Sequence, residues 1–324
     1  MLKVSEYKPL VSVLLPAYNT ERFIKEAIES VLNQTYENFE LIILDDKSTD
    51  NTKHVIEGYK DDRIKIFNNE INIGFLRSRN RLMRLAKGDY IAFQDADDVY
   101  SRFKLEKQLA AFAADRELGA CGVQYQRISS TGEYLSNVSS YPTNYQSIRD
   151  KLPEDFSFWP TSIMVKKEVV EDVGLLEEYF DRIGSDDYYW CAKIALRHKL
   201  INLPEIHFYY RNNPDSFTSY RNTNLRKLAS TYIVKEILRH EISTGEDLFS
   251  DKGLNKVKQI EKYIFDQKLP QKKLALWFSY HGKYLHSLKT MGSILFYNPV
   301  QEKSFYKDFL YILKKFVVSK AGIR

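Results

Sequence analysis

Four short apolar runs alternate with amphipathic segments over the first hundred residues, and that alternation restricts the fold more than any other feature of the 324-residue chain. The runs are Val11 to Leu15, Leu41 to Leu44, Ile64 to Phe67 and Tyr90 to Phe93. Val11 to Leu15 and Leu41 to Leu44 read as buried strands, Ile64 to Phe67 as a third strand, and Tyr90 to Phe93 as apolar enough to be buried. Between the first two, Phe23, Ile24, Ala27, Ile28, Val31 and Leu32 recur at helical spacing, with Thr20 placed to cap. Ser48-Thr49-Asp50 opens a second helix with Val55, Ile56 and Tyr59 on its apolar face, and a third runs from about Leu76 to Ala86. Strands and helices in this order predict an α/β fold, a mainly parallel sheet with right-handed crossovers.

In such a sheet, ligands bind beyond the carboxyl ends of the strands. The polar residues at those ends are Tyr18, Asp46, Asn72, and Asp95 with Asp97. The last pair belongs to Gln94-Asp95-Ala96-Asp97-Asp98, three carboxylates with no Lys or Arg between Gly88 and Tyr100. Repelling acids with hard oxygen donors suit Mg²⁺ or Mn²⁺ bound together with substrate phosphates. The chain has neither Gly-x-Gly-x-x-Gly nor a Gly-Lys-Ser/Thr loop, which argues against a dinucleotide dehydrogenase or a P-loop enzyme.

Val11-Ser12-Val13-Leu14-Leu15-Pro16-Ala17-Tyr18-Asn19, Asp45-Asp46-Lys47-Ser48-Thr49-Asp50, Asn72-Ile73-Gly74 with Arg79-Asn80, and Asp95-Ala96-Asp97-Asp98 resemble the inverting family-two glycosyltransferases of GT-A fold. The resemblance spans roughly residues 10 to 217. It implies a Rossmann-like central sheet flanked by helices and a UDP-sugar donor. It also implies that Asp46 accepts the uracil N3–H, that Tyr18 borders the base, and that Pro16 and Ala17 offer backbone groups to the nucleotide. Asn72 and Arg79 would line the nucleotide pocket, Arg79 toward the diphosphate. Asp95 would stand near the ribose or the metal's water shell, and Asp97 would ligate the Mn²⁺ or Mg²⁺ that bridges the diphosphate. Lys47 stands where the family usually has Gly, and a non-glycine residue there is expected to avoid a positive φ.

Farther along, a helix is expected from Phe103 to Ala114 and a strand from Gly119 to Tyr125. Residues 127 to 157 are polar without a clean period, resembling the family's variable acceptor-facing segment. After Phe158 to Val165, a short helix carrying Val169, Val170 and Val173 ends at Gly174. Asp186 then stands four residues before Trp190, at the start of a helix that runs through His198. The resemblance makes Asp186 the catalytic base, with Ser185 in place of the usual first acid. Tyr209-Tyr210-Arg211-Asn212-Asn213-Pro214-Asp215-Ser216 resembles the family's Tyr-Arg-x-His-x-x-Ser. Arg211 and Ser216 would hold phosphate oxygens, and Asn213, in place of His, would be a weaker metal ligand. These departures leave a catalytically silent GT-A binding module as one alternative. A nucleotidyltransferase is another, since it too uses a metal at strand ends.

Charge divides the chain. Residues from Thr223 onward carry a balance of +10 and the preceding residues one of −5, against +5 for the whole. The expected organisation is a GT-A domain over 1–222 and a basic helical region over 223–324. That region would hold helices at Leu225 to His240, Leu254 to Phe265, Lys272 to Leu288 and Gln301 to Val318. The last has Phe305, Phe309, Ile312 and Phe316 on one face and lysines toward the other. It could lie on an anionic membrane, pack on its own chain or mediate oligomerisation. No nucleic-acid motif accompanies the basic residues. Two cysteines, a polar N-terminus and the lack of a long apolar run predict a cytoplasmic protein, peripheral at most to the inner face of the membrane. The acceptor would be a glycan or a lipid-linked glycan of the cell surface.

Overall fold

The computed structural model describes residues 8–154, 157–213, 216, 225–250, 253–267, 269–280 (backbone alone over 277–280), 287–291 and 310–313. The chain divides into two compact units, Met1–Ser219 and Tyr220–Arg324.

The first unit begins with β1 (Val11–Ala17), α1 (Ile24–Leu32), β2 (Phe39–Asp45), α2 (Thr52–Glu57), β3 (Ile64–Asn68), α3 (Phe75–Leu85) and β4 (Tyr90–Phe93). β1 lies between β2 and β4, β3 flanks β2, and all these pairings are parallel, as the alternation requires. Every residue of β1 and β2 is buried, so their unbroken apolar runs reflect cover on both faces. Gly88 admits β4 to this layer: a Cβ there would stand 2.6 Å from the Ser12 nitrogen and 2.7 Å from the Leu10 carbonyl.

The unit continues with β5 (Val99–Tyr100), α4 (Lys104–Ala114), β6 (Leu118–Ile128), β7 (Tyr134–Val138), α5 (Tyr145–Lys151), β8 (Met164–Lys166), α6 (Lys167–Val173), α7 (Asp186–Arg197) and β9 (Lys199–Arg211). Strand order among the described residues is β3-β2-β1-β4-β8-β6-β9-β5, with β7 paired to β6. β8 is antiparallel to both β4 and β6, and β9 runs parallel to β6. The carboxyl ends of β6 and β9 therefore share a rim with that of β4. One core, from Val11 and Leu15 through Phe112 and Val123 to Phe208, supports this sheet.

Three local expectations change. Thr20 caps α1 through its backbone carbonyl, which accepts the N–H groups of Phe23 and Ile24 at 2.9 Å; no side chain caps that helix. Residues 127 to 157 are not simply irregular, since they hold the β6–β7 hairpin and α5. The hairpin strand β7 is almost wholly exposed, so pairing and not burial holds it, and apolar periodicity could not reveal it. Lys47 adopts φ +63°, so the position keeps the left-handed backbone that glycine would supply.

In the second unit α8 (Leu225–Thr244), α9 (Leu254–Asp266) and α10 (Leu269–Tyr280) pack on one another. An Arg226–Glu261 ion pair of 2.7 Å links α8 to α9. Ile312 is buried with Ala275 and Met291. Of the helix expected from Gln301 to Val318 only 310–313 are described, and these are helical; Phe305, Phe309 and Phe316 lie outside the described residues. Among the described residues, no helix is long and apolar enough to cross a membrane.

Candidate active site

The rim above β1, β2 and β4 is built by side chains that tie one loop to the next. Asn19, at φ +51°, receives the Thr49 N–H on its side-chain oxygen at 2.8 Å, joining the loop after β1 to the one after β2. Asp46 joins the second loop to the third. Its carboxylate accepts the Asn69 amide at 2.6 Å, the Ile73 N–H at 2.9 Å and the Gly74 N–H at 2.8 Å. Asn72 returns an amide bond to the Asp46 carbonyl at 3.1 Å. Gly74 turns into α3 at φ +90°, a backbone that a side chain would strain. Beside this cradle Pro16 and Ala17 are buried and Tyr18 is 46% exposed. The Ala17 carbonyl is already taken by the Asp46 N–H at 2.8 Å.

The acidic turn after β4 is held from below. Gln94, fully buried, donates its amide to the carbonyls of Asp95 and Asp98 at 3.0 and 2.6 Å. The Arg211 N–H donates to Asp98 Oδ1 at 2.8 Å, and Arg211 Nε to the Asp97 carbonyl at 2.7 Å. The same guanidinium donates to the Ser129 carbonyl and to Glu26 of α1. Asp95 takes Arg79 Nη2 at 2.9 Å, and Asp97 Oδ2 takes the Asn213 amide at 2.8 Å. Asp98 Oδ2 is buried with no partner.

These carboxylates are electrostatically crowded. Burial pushes Asp95 up to about 6, and Asp97 and Asp187 push it further against the pull of Arg79. Burial likewise raises Asp97, with Asn213 opposing. Asp98 is raised well above the carboxylate range by burial, then by Asp97 and Asp95. A cation at this turn would relieve all three.

α7 brings two more acids to the cluster. Arg182, Gly184 and Ser185 all have positive φ, and this turn sets Asp186 as the first residue of the helix. Asp187 Oδ1 accepts its neighbour's N–H, that of Tyr188, at 2.7 Å within the first turn of the helix. Asp186 is 7% exposed and its Oδ2 has no partner. Burial first, then Asp187, lift Asp186 to about 7, with Arg79 opposing. Arg79, 3% exposed, is thus a counter-charge felt by Asp95, Asp186 and Asp187. Its guanidinium lies over Phe75 and Phe93 at 4.3 and 5.2 Å from the ring centroids. Arg79, Phe93, Pro160, Asp187 and Trp190 help line a pocket of about 210 Å³. A buried carboxylate with an empty oxygen and a pKa near neutrality can take a proton from a hydroxyl.

The chain matches the family model "Glycosyl transferase family 2" over residues 12–174. The Escherichia coli UDP-Glc:alpha-D-GlcNAc-diphosphoundecaprenol beta-1,3-glucosyltransferase WfgD is 45% identical over 220 residues, which are 67% of this chain and 83% of that one. The chain belongs to glycosyl transferase family 2. Solved structures agree on the fold. S. aureus TarS 1-349 in complex with UDP-GlcNAc superposes with a TM-score of 0.56 at 16% identity, covering 95% of this chain and 80% of that one. The mannosyltransferase PcManGT from Pyrobaculum calidifontis, in complex with GDP-Man and Mn²⁺, gives 0.54 at 16% identity, covering 98% and 89%. This glycosyltransferase accordingly has the GT-A fold, and the nucleotidyltransferase reading falls.

Within the glycosyltransferase, one rim collects Tyr18, Asp46, Asn72, Arg79, Asp95, Asp97, Asp186 and Asn213, from seven separate stretches of sequence. Two expectations change. Arg211 is 3% exposed and its donors point inward, so it fastens the acidic turn and presents no free face to a phosphate. Arg79 is spent on an ion pair with Asp95 at 2.9 Å and is almost wholly buried, a contact its helix position did not announce. Ser216 donates its N–H to the Asn213 carbonyl at 3.3 Å; Pro214 and Asp215 lie outside the described residues. Gln94 and Glu26, which hold the acidic turn and Arg211, belong to none of the motifs; the glutamine directly after an apolar strand is the one local signal of them.

Proposed function

We propose that this glycosyltransferase moves a sugar from a UDP-sugar to an acceptor hydroxyl with inversion, and that Asp186 is its general base. The observation that carries the proposal is the Asp186 carboxylate: one oxygen without a partner, a pKa lifted to about 7, and the charges of Arg79 and Asp187 beside it. A base is most effective when its pKa lies near the working pH. Asp186 takes the proton of the acceptor hydroxyl as that oxygen attacks the anomeric carbon. The bond from that carbon to the diphosphate oxygen breaks on the opposite face, and the electron pair leaves with UDP.

Tyr18, with Pro16, Ala17 and Asn72, borders the nucleotide, while Asp46 acts by fixing the Asn69–Gly74 loop that walls it. Asp95, paired with Arg79, faces the ribose side, and Ser216 lies toward the diphosphate. Among the described residues no group of three or more His, Cys, Asp and Glu side chains converges as a metal cage. The donor set still fits a divalent ion carried largely by the substrate: Asp97 offers a carboxylate, and Asn213 could turn its amide oxygen to the same point. Mg²⁺ typically takes only one or two protein carboxylates beside substrate phosphates. Mn²⁺ or Mg²⁺ held at Asp97 would neutralise charge on the departing diphosphate. Mn²⁺ in the mannosyltransferase supports that reading.

The WfgD likeness supports a UDP-hexose donor and a glycan acceptor on a diphospholipid. A lipid-borne acceptor would also give the basic region beyond Thr223 a reason to meet an anionic surface or a second copy of the chain.

The test is a pair of isosteric variants. Asp186→Asn is expected to lose transfer by about 10²–10⁴-fold, the usual contribution of a general base. Its UDP affinity, measured by calorimetry, should hold. Asp187→Asn should keep most activity, because an amide oxygen still accepts the Tyr188 N–H. Near-normal turnover in Asp186→Asn with collapse in Asp187→Asn would move the base by one residue.

A further inference from the structure

We infer that Trp159, Tyr210, Tyr125 and Tyr141 form a stacking platform for a pyranose ring of the acceptor, with the Trp159 indole N–H donating to one of its hydroxyls. This deepens the proposed function and rests on it. The first observation is the placement of the rings. β6 and β9 end on the same rim as β4, and they lie on the opposite side of β4 from β1 and β2. The nucleotide loops follow β1 and β2, so the β6–β9 side is left for the other substrate.

The second observation is the cluster itself. The centroid of Trp159 lies 4.9 Å from that of Tyr125 and 4.7 Å from that of Tyr210. Tyr125 is 5.9 Å from Tyr210 and 6.1 Å from Tyr141, and Arg127 stands 5.3 Å over the Tyr210 ring. All four rings are half-buried, continuing the β6–β9 face of the core outward to solvent. Both ends of the cluster touch the active site through the chain. Tyr210 precedes Arg211, which fastens the turn of Asp97 and Asp98. Trp159 precedes Pro160, which lines the pocket with Arg79 and Asp187.

The third observation points to a ligand. Trp159 Nε1 is buried and has no hydrogen-bond partner, whereas Trp190 Nε1 donates to the Gly174 carbonyl at 2.7 Å. Buried indole N–H groups usually find an acceptor, so an orphan beside half-exposed rings marks a place where a ligand supplies one. A pyranose fits this pattern. Its axial C–H groups form an apolar face that stacks on aromatic rings, and its hydroxyl oxygens accept at the edge.

The experiment uses the full chain, methyl pyranosides of glucose, galactose and N-acetylglucosamine as binding probes, and their octyl pyranosides as acceptors. Saturation-transfer NMR should show the methyl pyranosides contacting the protein through their C–H faces, with the signal falling in Trp159→Phe and Tyr210→Leu. Trp159→Phe keeps an aromatic ring while deleting the N–H together with the pyrrole half of the indole. In UDP-release kinetics its acceptor KM should rise about tenfold, the size expected for one lost neutral hydrogen bond, with kcat changed far less. Calorimetry with UDP gives the internal reference, which should move less than the acceptor KM. A native acceptor KM in Trp159→Phe overturns the platform, as does the absence of any pyranoside signal with the native chain. Pyranoside binding that depends on Trp159, without UDP release from any donor, keeps the platform and rejects the transfer reading.

Discussion

Two acids on one rim, Asp46 and Asp186, are both buried, yet the chain treats them in opposite ways. Asp46 is filled with donors: two backbone N–H groups and the Asn69 amide converge on it. Asp186 keeps one oxygen empty at the start of α7 and sits among acids with Arg79 as the nearby counter-charge. A satisfied carboxylate holds a loop in place. An unsatisfied one is costly to bury and is retained where its proton affinity is used. On the proposed reading, the nucleotide side of the site is pre-formed by internal bonds, while the side of Asp186 keeps polar capacity for a substrate.

The first way to break this comparison is Asp97→Ala, which should remove the response of donor binding to Mn²⁺ or Mg²⁺. It should lower transfer by roughly 10³-fold or more, since Lewis-acid stabilisation of a leaving group is worth several kcal/mol. Titration of UDP with and without metal checks it. Unchanged metal enhancement would place the ion elsewhere on the rim.

A smaller effect sharpens the donor side. Asp46→Ala strands the Ile73 and Gly74 N–H groups and frees the loop. UDP affinity should fall by about 1.5–3 kcal/mol, on the scale of an unpaired buried polar group. Crystals of the variant should show the Asn69–Gly74 segment displaced. An undisturbed loop with weakened UDP binding would instead mean that Asp46 touches the base directly.

The smallest effect is on stability, and its sign depends on pH. The folded-state pKa of Asp186, about 7, lies above its ordinary value of 3.8. The stability tied to its protonated form is complete below about pH 4 and is lost as pH rises through 7. Asp186→Asn keeps a neutral group at all pH values. It should melt a few °C above the native chain at pH 8, on the scale of about 2–4 °C per kcal/mol, and close to it at pH 4. A variant that melts lower at pH 8 would show that the carboxylate is structural.

The parallel half of the sheet was legible because β1 and β2 are covered on both faces and each of the first three strands is followed by its own helix. Val11–Ala17 through Tyr90–Phe93 appear within a few residues of the predicted runs. The family motifs named candidate residues by position and said nothing of their directions. No local pattern says that Arg211 turns beneath Asp97, or that Arg79 faces Asp95 and not solvent, because contacts across 114 and 16 residues settle both. Lys47 shows the same limit on a smaller scale. Its residue type argued against a positive φ, yet loop closure between Asp46 and Ser48 imposed one. The β6–β7 hairpin escaped notice because an exposed strand has no apolar face to betray it.

The measurement that bears most directly on the central claim is the pH dependence of single-turnover transfer, which isolates chemistry from product release. The native enzyme should show a rate rising through a midpoint near 7, where Asp186 gives up its proton, and levelling above it. In Asp186→Asn the residual rate should lose that limb, leaving a profile nearly flat from pH 5.5 to 8.5. A limb of unchanged midpoint that survives in Asp186→Asn would contradict the account and assign the titrating base to another group.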